Sequence, residues 1–172
     1  PFAWHPELPV EELEKRLNAA FKVVPYTAGI NNHMGSRMTS QQPAMAWLMA
    51  DLQRRHKLFV DSRTSAQTVA AAEAQKIGLA SVSRDVFLDD EPTEAAIFTQ
   101  LQTAIGLARK QGSAVMIGHP YPQTLAVLER ELPKLKAQGI DWIDIKQMIS
   151  VRGNRATAAH GKDGQYRLPT AR

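Results

Sequence analysis

Apolar residues recur at helical spacing in five segments of the chain. In the first segment they fall at Val10, Leu13 and Leu17, which places them on one face of a helix. Ser40 and Ser65 stand before the second and third segments and are predicted to be their N-caps. The pattern therefore predicts helices over residues 9–24, 42–56, 65–78, 92–112 and 122–135.

Short apolar runs alternate with these helices. Strands are predicted over residues 26–30, 57–61, 79–88, 114–117 and 142–145. Three of them are apolar runs bounded by turn signals, which is typical of strands buried on both faces. The alternation indicates an α/β fold in which helices cover a parallel sheet.

The predicted pattern opens on a helix, as if one or more βα units were missing upstream. A closed barrel of eight βα units needs about 250 residues, so five strands predict an open sheet or an incomplete barrel. The first residue is Pro1 rather than Met. We therefore expect that the chain has been processed or that it begins partway through a longer protein.

Composition narrows the class of protein. Apolar residues make up 44% of the chain, which is enough for a packed core. The absence of cysteine excludes a disulfide scaffold, a thiolate zinc site and a cysteine nucleophile. No run of about 18 apolar residues occurs, so no membrane-spanning helix is predicted.

The net charge of +4 comes from one end of the chain. Residues 151–172 contain five basic residues and a single acidic one, Asp163, so residues 1–150 are neutral. We interpret residues 1–150 as one folded domain and residues 151–172 as a basic, mostly disordered tail. Nucleic-acid binding would rest on this tail alone, and no nucleic-acid partner is expected. The five basic residues are Arg152, Arg155, Lys162, Arg167 and Arg172.

Polar residues follow four consecutive predicted strands. In parallel α/β folds, functional sites lie at the carboxyl ends of the strands. These ends supply asparagine, histidine, aspartate and arginine side chains toward one face. The four strings are 29–36 (GINNHMGS), 59–65 (FVDSRTS), 86–90 (VFLDD) and 117–122 (IGHPYP).

Two histidines in these strings are candidates for chemistry. His33 lies in a loop of small and amide residues, where it could bind a metal or only structure the loop. His119 ends an apolar strand before two prolines, and its alternatives are a functional imidazole or a capping or core histidine. His5, His56 and His160 lie at terminal or helix-end positions and are interpreted as surface residues.

The charged residues at the strand ends keep two interpretations each. Asp61 could orient a histidine or accept a proton, but it could equally cap the following helix. Arg63 could bind an anion or form a structural ion pair. The Asp89-Asp90 pair has the composition of a metal site, yet it directly precedes a helix whose N-terminus it could stabilise.

Other motifs are weak or missing. Trp47 and Trp142 are interpreted as core or groove wall. The sequence contains no P-loop, no Gly-x-Gly-x-x-Gly and no His-Glu-x-x-His, so nucleotide binding and zincin chemistry have no support.

The four strand-end strings resemble, in order and spacing, the divergent polysaccharide deacetylase family. The resemblance covers roughly residues 8–150, and the string Asn31-Asn32-His33 followed by Met-Gly-Ser is its most specific part. The family is related to the NodB-type carbohydrate esterases, which implies an irregular, parallel-strand (β/α) barrel. It also implies a metal-dependent hydrolase acting on N-acetylated envelope glycans in an exported or periplasmic protein.

The resemblance assigns roles to individual residues. His33 would be a metal or substrate ligand, His119 the general acid, and Asp61 a carboxylate that orients it. The substrate-binding residues would be Asn31, Asn32, Arg63 and Tyr121. The metal would be divalent, with zinc as the first choice by this resemblance, because a bound divalent ion lowers the pKa of its water to about 7.

The sequence departs from the family at its front. The family begins with a strand ending in paired aspartates and a strand ending in a His-Leu-Pro type motif, and neither is present in this chain. Asp89-Asp90 occurs too late in the chain to replace the paired aspartates. The resemblance therefore implies the C-terminal two-thirds of the domain. The alternative function is a catalytically inactive carbohydrate-binding or cell-envelope scaffold with the same fold.

Overall fold

The computed structural model describes residues 4–160, with side chains described through residue 153. The chain divides into two compact units, Pro1–Arg84 and Asp85–Arg172. The helices are α1 Val10–Val23, α2 Ser36–Thr39, α3 Gln42–Arg54, α4 Ala70–Lys76, α5 Glu94–Gln111, α6 Pro122–Leu135 and α7 Ile145–His160. The strands are β1 Gly29–Asn31, β2 Leu58–Asp61, β3 Ser81–Ser83, β4 Val86–Phe87 and β5 Met116–Ile117.

The first unit contains a three-stranded parallel sheet in the order β1-β2-β3. Its central strand carries Phe59, which is almost fully buried against apolar residues of α1 and α3 such as Leu17 and Leu52. Of the face predicted for this helix, Leu13 and Leu17 are buried as expected, whereas Val10 is exposed. Long apolar side chains on these helices cover the sheet, and their burial supplies the main stabilising term for this unit.

The second unit contains a two-stranded parallel sheet. Val86 of β4 pairs with Met116 of β5, and Phe87 pairs with Ile117. The connection between the strands is α5, which begins after Thr93 and is followed by Gly112 with φ of 80°. The core of the unit consists of Leu88, Ile97, Leu101, Ile105, Val127 and Leu135.

These two sheets confirm the prediction of an α/β fold with parallel strands. Barrel closure stays a prediction, because the described strands form separate sheets of three and two strands. Within residues 4–160, none of the helices combines the length and the apolar character needed to cross a membrane.

The single strand predicted over residues 79–88 is wrong. The segment forms β3 and β4, which belong to different sheets. Between them, the Arg84 side chain donates hydrogen bonds to the carbonyls of Ser62 (2.6 Å) and Arg63 (2.9 Å). The next amide, that of Asp85, donates to the Val115 carbonyl at 2.8 Å. Arg84 therefore bonds to the residues that follow β2, whereas Asp85 bonds to the residue that precedes β5. This change of partner separates β3, which pairs with β2, from β4, which pairs with β5.

The strand predicted over residues 142–145 is also wrong. Trp142 is 60% exposed, so the burial that would favour a strand there is missing. The Asp144 carboxylate accepts a hydrogen bond from the Gln147 amide at 2.9 Å, and the Gln147 side chain accepts one from the Asp144 amide at 3.3 Å. This reciprocal pair is a capping box, which starts α7 at Ile145.

Helix α7 also changes the interpretation of the tail. The helix extends to His160 and so includes residues 151–160 of the predicted tail, while residues 161–172 lie outside the described part of the chain. Arg152 forms an ion pair with Asp85 and bonds to the Ser113 hydroxyl at 3.3 Å. This anchoring gives the first basic residue of the predicted tail a structural partner in the same unit.

The two predicted serine caps are corrected as well. The Ser40 hydroxyl donates to the Arg37 carbonyl at the end of α2, and α3 begins without a side-chain cap. The Ser65 hydroxyl accepts a hydrogen bond from the Gln67 amide in a turn, and α4 begins only at Ala70. Both serines therefore satisfy nearby loop or helix-end groups, the competing use that serine side chains commonly find.

We predict opposite effects for alanine at two glycines. A Cβ at Gly29 would lie 2.1 Å from the Leu58 carbonyl oxygen, whereas a Cβ at Gly106 in α5 would meet open space. Gly29→Ala should lower the free energy of unfolding by about 2–3 kcal/mol through overpacking. Gly106→Ala should raise it by about 1 kcal/mol through helix propensity. Urea unfolding measures both, and equal midpoints for the two variants would contradict the close approach of β1 and β2.

Candidate functional site

The second unit brings an aspartate and a histidine together beyond the carboxyl ends of its two strands. Asp89 lies two residues after β4, and His119 lies two residues after β5. Since β4 and β5 pair in parallel register, equal offsets place the two residues side by side. The Asp89 Oδ1 atom is 3.0 Å from His119 Nδ1.

The Asp89 carboxylate is buried and fully engaged. Its Oδ2 atom accepts hydrogen bonds from the His119 backbone amide at 2.5 Å and from the Thr124 hydroxyl at 2.8 Å. Asp89 is only 3% exposed, and burial alone would raise the pKa of its carboxyl group. Together, the bonds from His119 and Thr124 outweigh that penalty and lower the pKa. The carboxylate is therefore held in its charged form.

Gly118 makes room for this carboxylate. A Cβ at position 118 would lie 3.1 Å from Asp89 Oδ2 and 3.3 Å from the Cβ of Leu88. Both distances are tighter than ordinary van der Waals contact. The glycine before His119 is thus explained by the close approach of the neighbouring strand end.

Two aromatic rings flank the His119 imidazole. Tyr121 stacks on it with ring centroids 5.0 Å apart and an interplanar angle of 27°. Phe87 meets it edge to face at 5.7 Å and 85°. Tyr121 is 41% exposed, while His119 is half-buried. The histidine is thereby fixed by a carboxylate at one ring nitrogen and by rings on its sides.

The sequence missed the role of Asp89. Asp89-Asp90 does not cap α5, because the Thr93 hydroxyl caps that helix by accepting a 3.3 Å hydrogen bond from the Ala96 amide. The metal-site alternative for this pair stays a prediction. The prediction that Asp61 orients His119 is corrected, since Asp89 holds that position at Nδ1. The position of Asp89 and His119 just beyond two predicted parallel strands was the signal that could have identified the pair.

Asp61 instead organises the loop that follows β2. It is almost fully buried, its Oδ1 atom accepts the Arg63 amide at 2.8 Å, and its Oδ2 atom accepts the Thr68 hydroxyl at 2.9 Å. Arg63 adopts a positive φ of 49° and is exposed. The bond to Asp61 helps to hold this residue in a backbone conformation that non-glycine residues rarely adopt.

The two predicted asparagines join the ends of β1 and β2. The Asn31 side-chain amide donates to the Ser62 hydroxyl at 2.9 Å, and the Asn32 Oδ1 atom accepts the Ser62 backbone amide at 2.8 Å. Within the described residues, Asn32 Nδ2 is buried without a hydrogen-bond partner. The contacts seen for both asparagines are therefore contacts within the loops.

His33 is exposed in the loop after β1, next to Met34, whose φ is 51°. Among the described side chains, no three histidine, aspartate or glutamate residues lie where they could together hold a metal ion. His33 therefore does not fit a metal site built from these residues alone. This is a test of the donor set, which needs several ligands around one ion.

The remaining candidates fall at separate places. Trp47 packs against the core of the first unit, as the sequence predicted. Trp142 is largely exposed, so its assignment to a core is wrong. His5 and His56 are exposed, as expected, and the His160 side chain lies outside the described part of the chain.

The fold and this pair define a class: a parallel α/β protein with polar groups held at its strand ends. Residues 1–149 match the divergent polysaccharide deacetylase family, and the chain belongs to that family. This confirms the resemblance drawn from the strand-end strings.

Two curated relatives support the membership. The chain is 46% identical to the uncharacterized protein YibQ of Escherichia coli K12 over 125 residues. This alignment covers 73% of the chain and 39% of YibQ. The chain is also 42% identical to an uncharacterized protein of Haemophilus influenzae Rd over 131 residues. This alignment covers 76% of the chain and 47% of that protein. The chain thus spans less than half the length of these relatives.

A solved structure has the same fold. The crystal structure of an uncharacterized protein from Agrobacterium tumefaciens C58 superposes with a TM-score of 0.80 at 26% identity. The match covers 83% of this chain and 58% of the other. It supports the α/β architecture described above.

The lowered pKa of Asp89 predicts how stability depends on pH. Its ionised form adds stability above the unfolded pKa, about 3.9, and that contribution is lost as the pH falls through the lower folded pKa. Asp89→Asn should therefore cost about 1–3 kcal/mol at about pH 6 and much less at about pH 2.5.

Chemical unfolding across this range provides the measurement. Asp90→Asn is the matched control, because Asp90 is the exposed neighbour of Asp89. A cost for Asp89→Asn that is the same at both pH values would contradict the assignment.

Proposed function

We propose that this chain supplies the proton-transferring histidine of a hydrolase that removes acetyl groups from N-acetylated glycans. The observation that carries the proposal is the hydrogen bond between Asp89 and His119 Nδ1, at the carboxyl ends of paired parallel strands. Membership of the divergent polysaccharide deacetylase family supports the substrate class.

The geometry suits the chemistry. Cleavage of an acetamide requires a proton for the departing amine, and a positioned histidine is the side chain that most often supplies one. A carboxylate at Nδ1 fixes the orientation of the ring, as in other carboxylate–histidine pairs. Nε2 is then the nitrogen that would transfer the proton in this proposal.

Tyr121 and Arg63 are the proposed substrate contacts with exposed side chains. The Tyr121 ring, stacked on the imidazole, offers an apolar surface to a sugar ring. The guanidinium group of Arg63 offers hydrogen-bond donors to hydroxyl, carbonyl or anionic groups. For Asn31 and Asn32, we propose an indirect part, because their bonds to Ser62 shape the strand end.

The proposal includes a divalent metal, with zinc as the first choice from the family resemblance. The described residues do not form a ligand set on their own. His33 would provide one ligand in the full-length protein, with the others coming from residues outside this chain. No step of the proposed proton transfer by His119 depends on that assignment.

The remaining expectations concern the whole protein. An exported or periplasmic location and an irregular (β/α) barrel are both proposed from the family resemblance. Parallel strand pairing in both units supports the fold part of this proposal.

A second candidate function is a carbohydrate-binding or envelope scaffold without catalysis. The observation that favours it is the missing ligand set among the described side chains. It predicts that the full-length protein binds a glycan but releases no acetate. The same assay therefore distinguishes the two candidates.

We expect His119→Ala to reduce acetate release from chitotetraose by the full-length protein. The loss should be about 10²- to 10⁴-fold in kcat, the usual contribution of a general acid, with little change in KM. His5→Ala replaces an exposed histidine and is the control. Unchanged kcat in His119→Ala, with wild-type activity present, would rule out the proposed role.

A separate measurement tests His33. We expect the full-length protein to contain a divalent metal by elemental analysis, and His33→Ala to contain much less. His119→Ala should retain the metal, because the proposal assigns His119 to proton transfer and His33 to the metal. Equal metal content in the wild type and His33→Ala would overturn the ligand assignment.

A further inference from the structure

The hydroxyl group of Thr124 forms its hydrogen bond outside helix α6. The residue lies in the first turn of the helix and is only 2% exposed. Threonine hydroxyls in helices often bond to a carbonyl of the preceding turn. This one donates to Asp89 Oδ2 at 2.8 Å, across a separation of 35 residues. Its bond therefore links the start of α6 to the end of β4.

The bond bears directly on how Asp89 is oriented. Rotation of a carboxylate about its last torsion angle is broad and roughly two-fold, so the carboxylate needs external contacts to hold one orientation. Two donors on Oδ2, the Thr124 hydroxyl and the His119 amide, fix that oxygen. Oδ1 is then left facing His119 Nδ1 at 3.0 Å.

We propose that Thr124 is a positioning residue that acts on His119 through Asp89. By fixing Asp89, it keeps the proton of the neutral imidazole on Nδ1 and the Nε2 atom directed away from the carboxylate. Outer hydrogen-bond partners of this kind commonly decide which nitrogen of a histidine is protonated. The inference rests on the proposed function for its effect on catalysis, but its effect on the ring does not.

The test compares two substitutions at one position. Thr124→Val keeps the branched shape and removes the hydroxyl, whereas Thr124→Ser keeps the hydroxyl. Thr103→Val is the matched control, because Thr103 is an exposed residue of α5 whose hydroxyl bonds within its own helix at 3.0 Å. All three proteins are first compared by circular dichroism and urea unfolding.

The first readout is the ¹⁵N NMR spectrum of the His119 ring. We expect the neutral ring to carry its proton on Nδ1 in the wild type, Thr124→Ser and Thr103→Val. In Thr124→Val, the signals should move toward a mixture of the two tautomers. If Thr124→Val unfolds, Thr124→Ala and Thr124→Ser are compared in its place. Identical ring signals in the folded hydroxyl-free and hydroxyl-bearing variants would overturn the proposal.

The second readout is turnover of chitotetraose by the full-length protein. A loss of about 10- to 100-fold in kcat is expected for Thr124→Val, with KM unchanged and with recovery in Thr124→Ser. If the full-length wild type releases no acetate, the proposed function fails while the ring spectrum still decides the role of Thr124. If the wild type is active and Thr124→Val has normal kcat, the positioning role is wrong.

Discussion

The hydrogen bonds that hold the buried carboxylate of Asp89 are the interaction on which the second unit depends. An unpaired charge in such a place would be costly, and hydrogen bonds to the carboxylate oxygens are the usual way of avoiding that cost. Here the donors come from the loop after β5 and from the first turn of α6. The same bonds that stabilise the charge therefore determine where His119 and Thr124 lie. Stability and the proposed chemistry share one set of contacts.

The first unit meets a related requirement in the loops that follow its strands. Backbone that leaves a parallel ladder loses its hydrogen-bond partners, and side chains must replace them. Asn32 does so for the Ser62 amide, Asp61 for the Arg63 amide, and Arg84 for two carbonyl groups. The polar residues that follow the strands thus stabilise the backbone of the loops. Any ligand contact there would be made by a loop already held in shape.

Local signals predicted much of the fold but little of the site. Strong apolar periodicity located α1, α3, α5 and α6, because each helix buries a continuous face. The division of residues 79–88 was missed because the carbonyls bonded by Arg84 lie more than 20 residues earlier. The role of Asp89 was missed for the same reason: its histidine and threonine partners follow 30 and 35 residues later. The capping interpretation of Asp89 depended only on residues next to it in the sequence, and these do not include its partners.

Gly118 has a consequence for how the sequence can vary. The absence of a side chain at Gly118 leaves the space that the Asp89 carboxylate occupies. Substitutions at positions 118 and 89 therefore depend on each other. A relative with a larger residue at 118 would need a changed residue or backbone at 89. Loss of the carboxylate would in turn remove the shorter of the two close contacts at 118 and leave only the one with the Leu88 Cβ. Paired change at these positions would therefore mark the branches of the family that have abandoned the carboxylate–histidine pair.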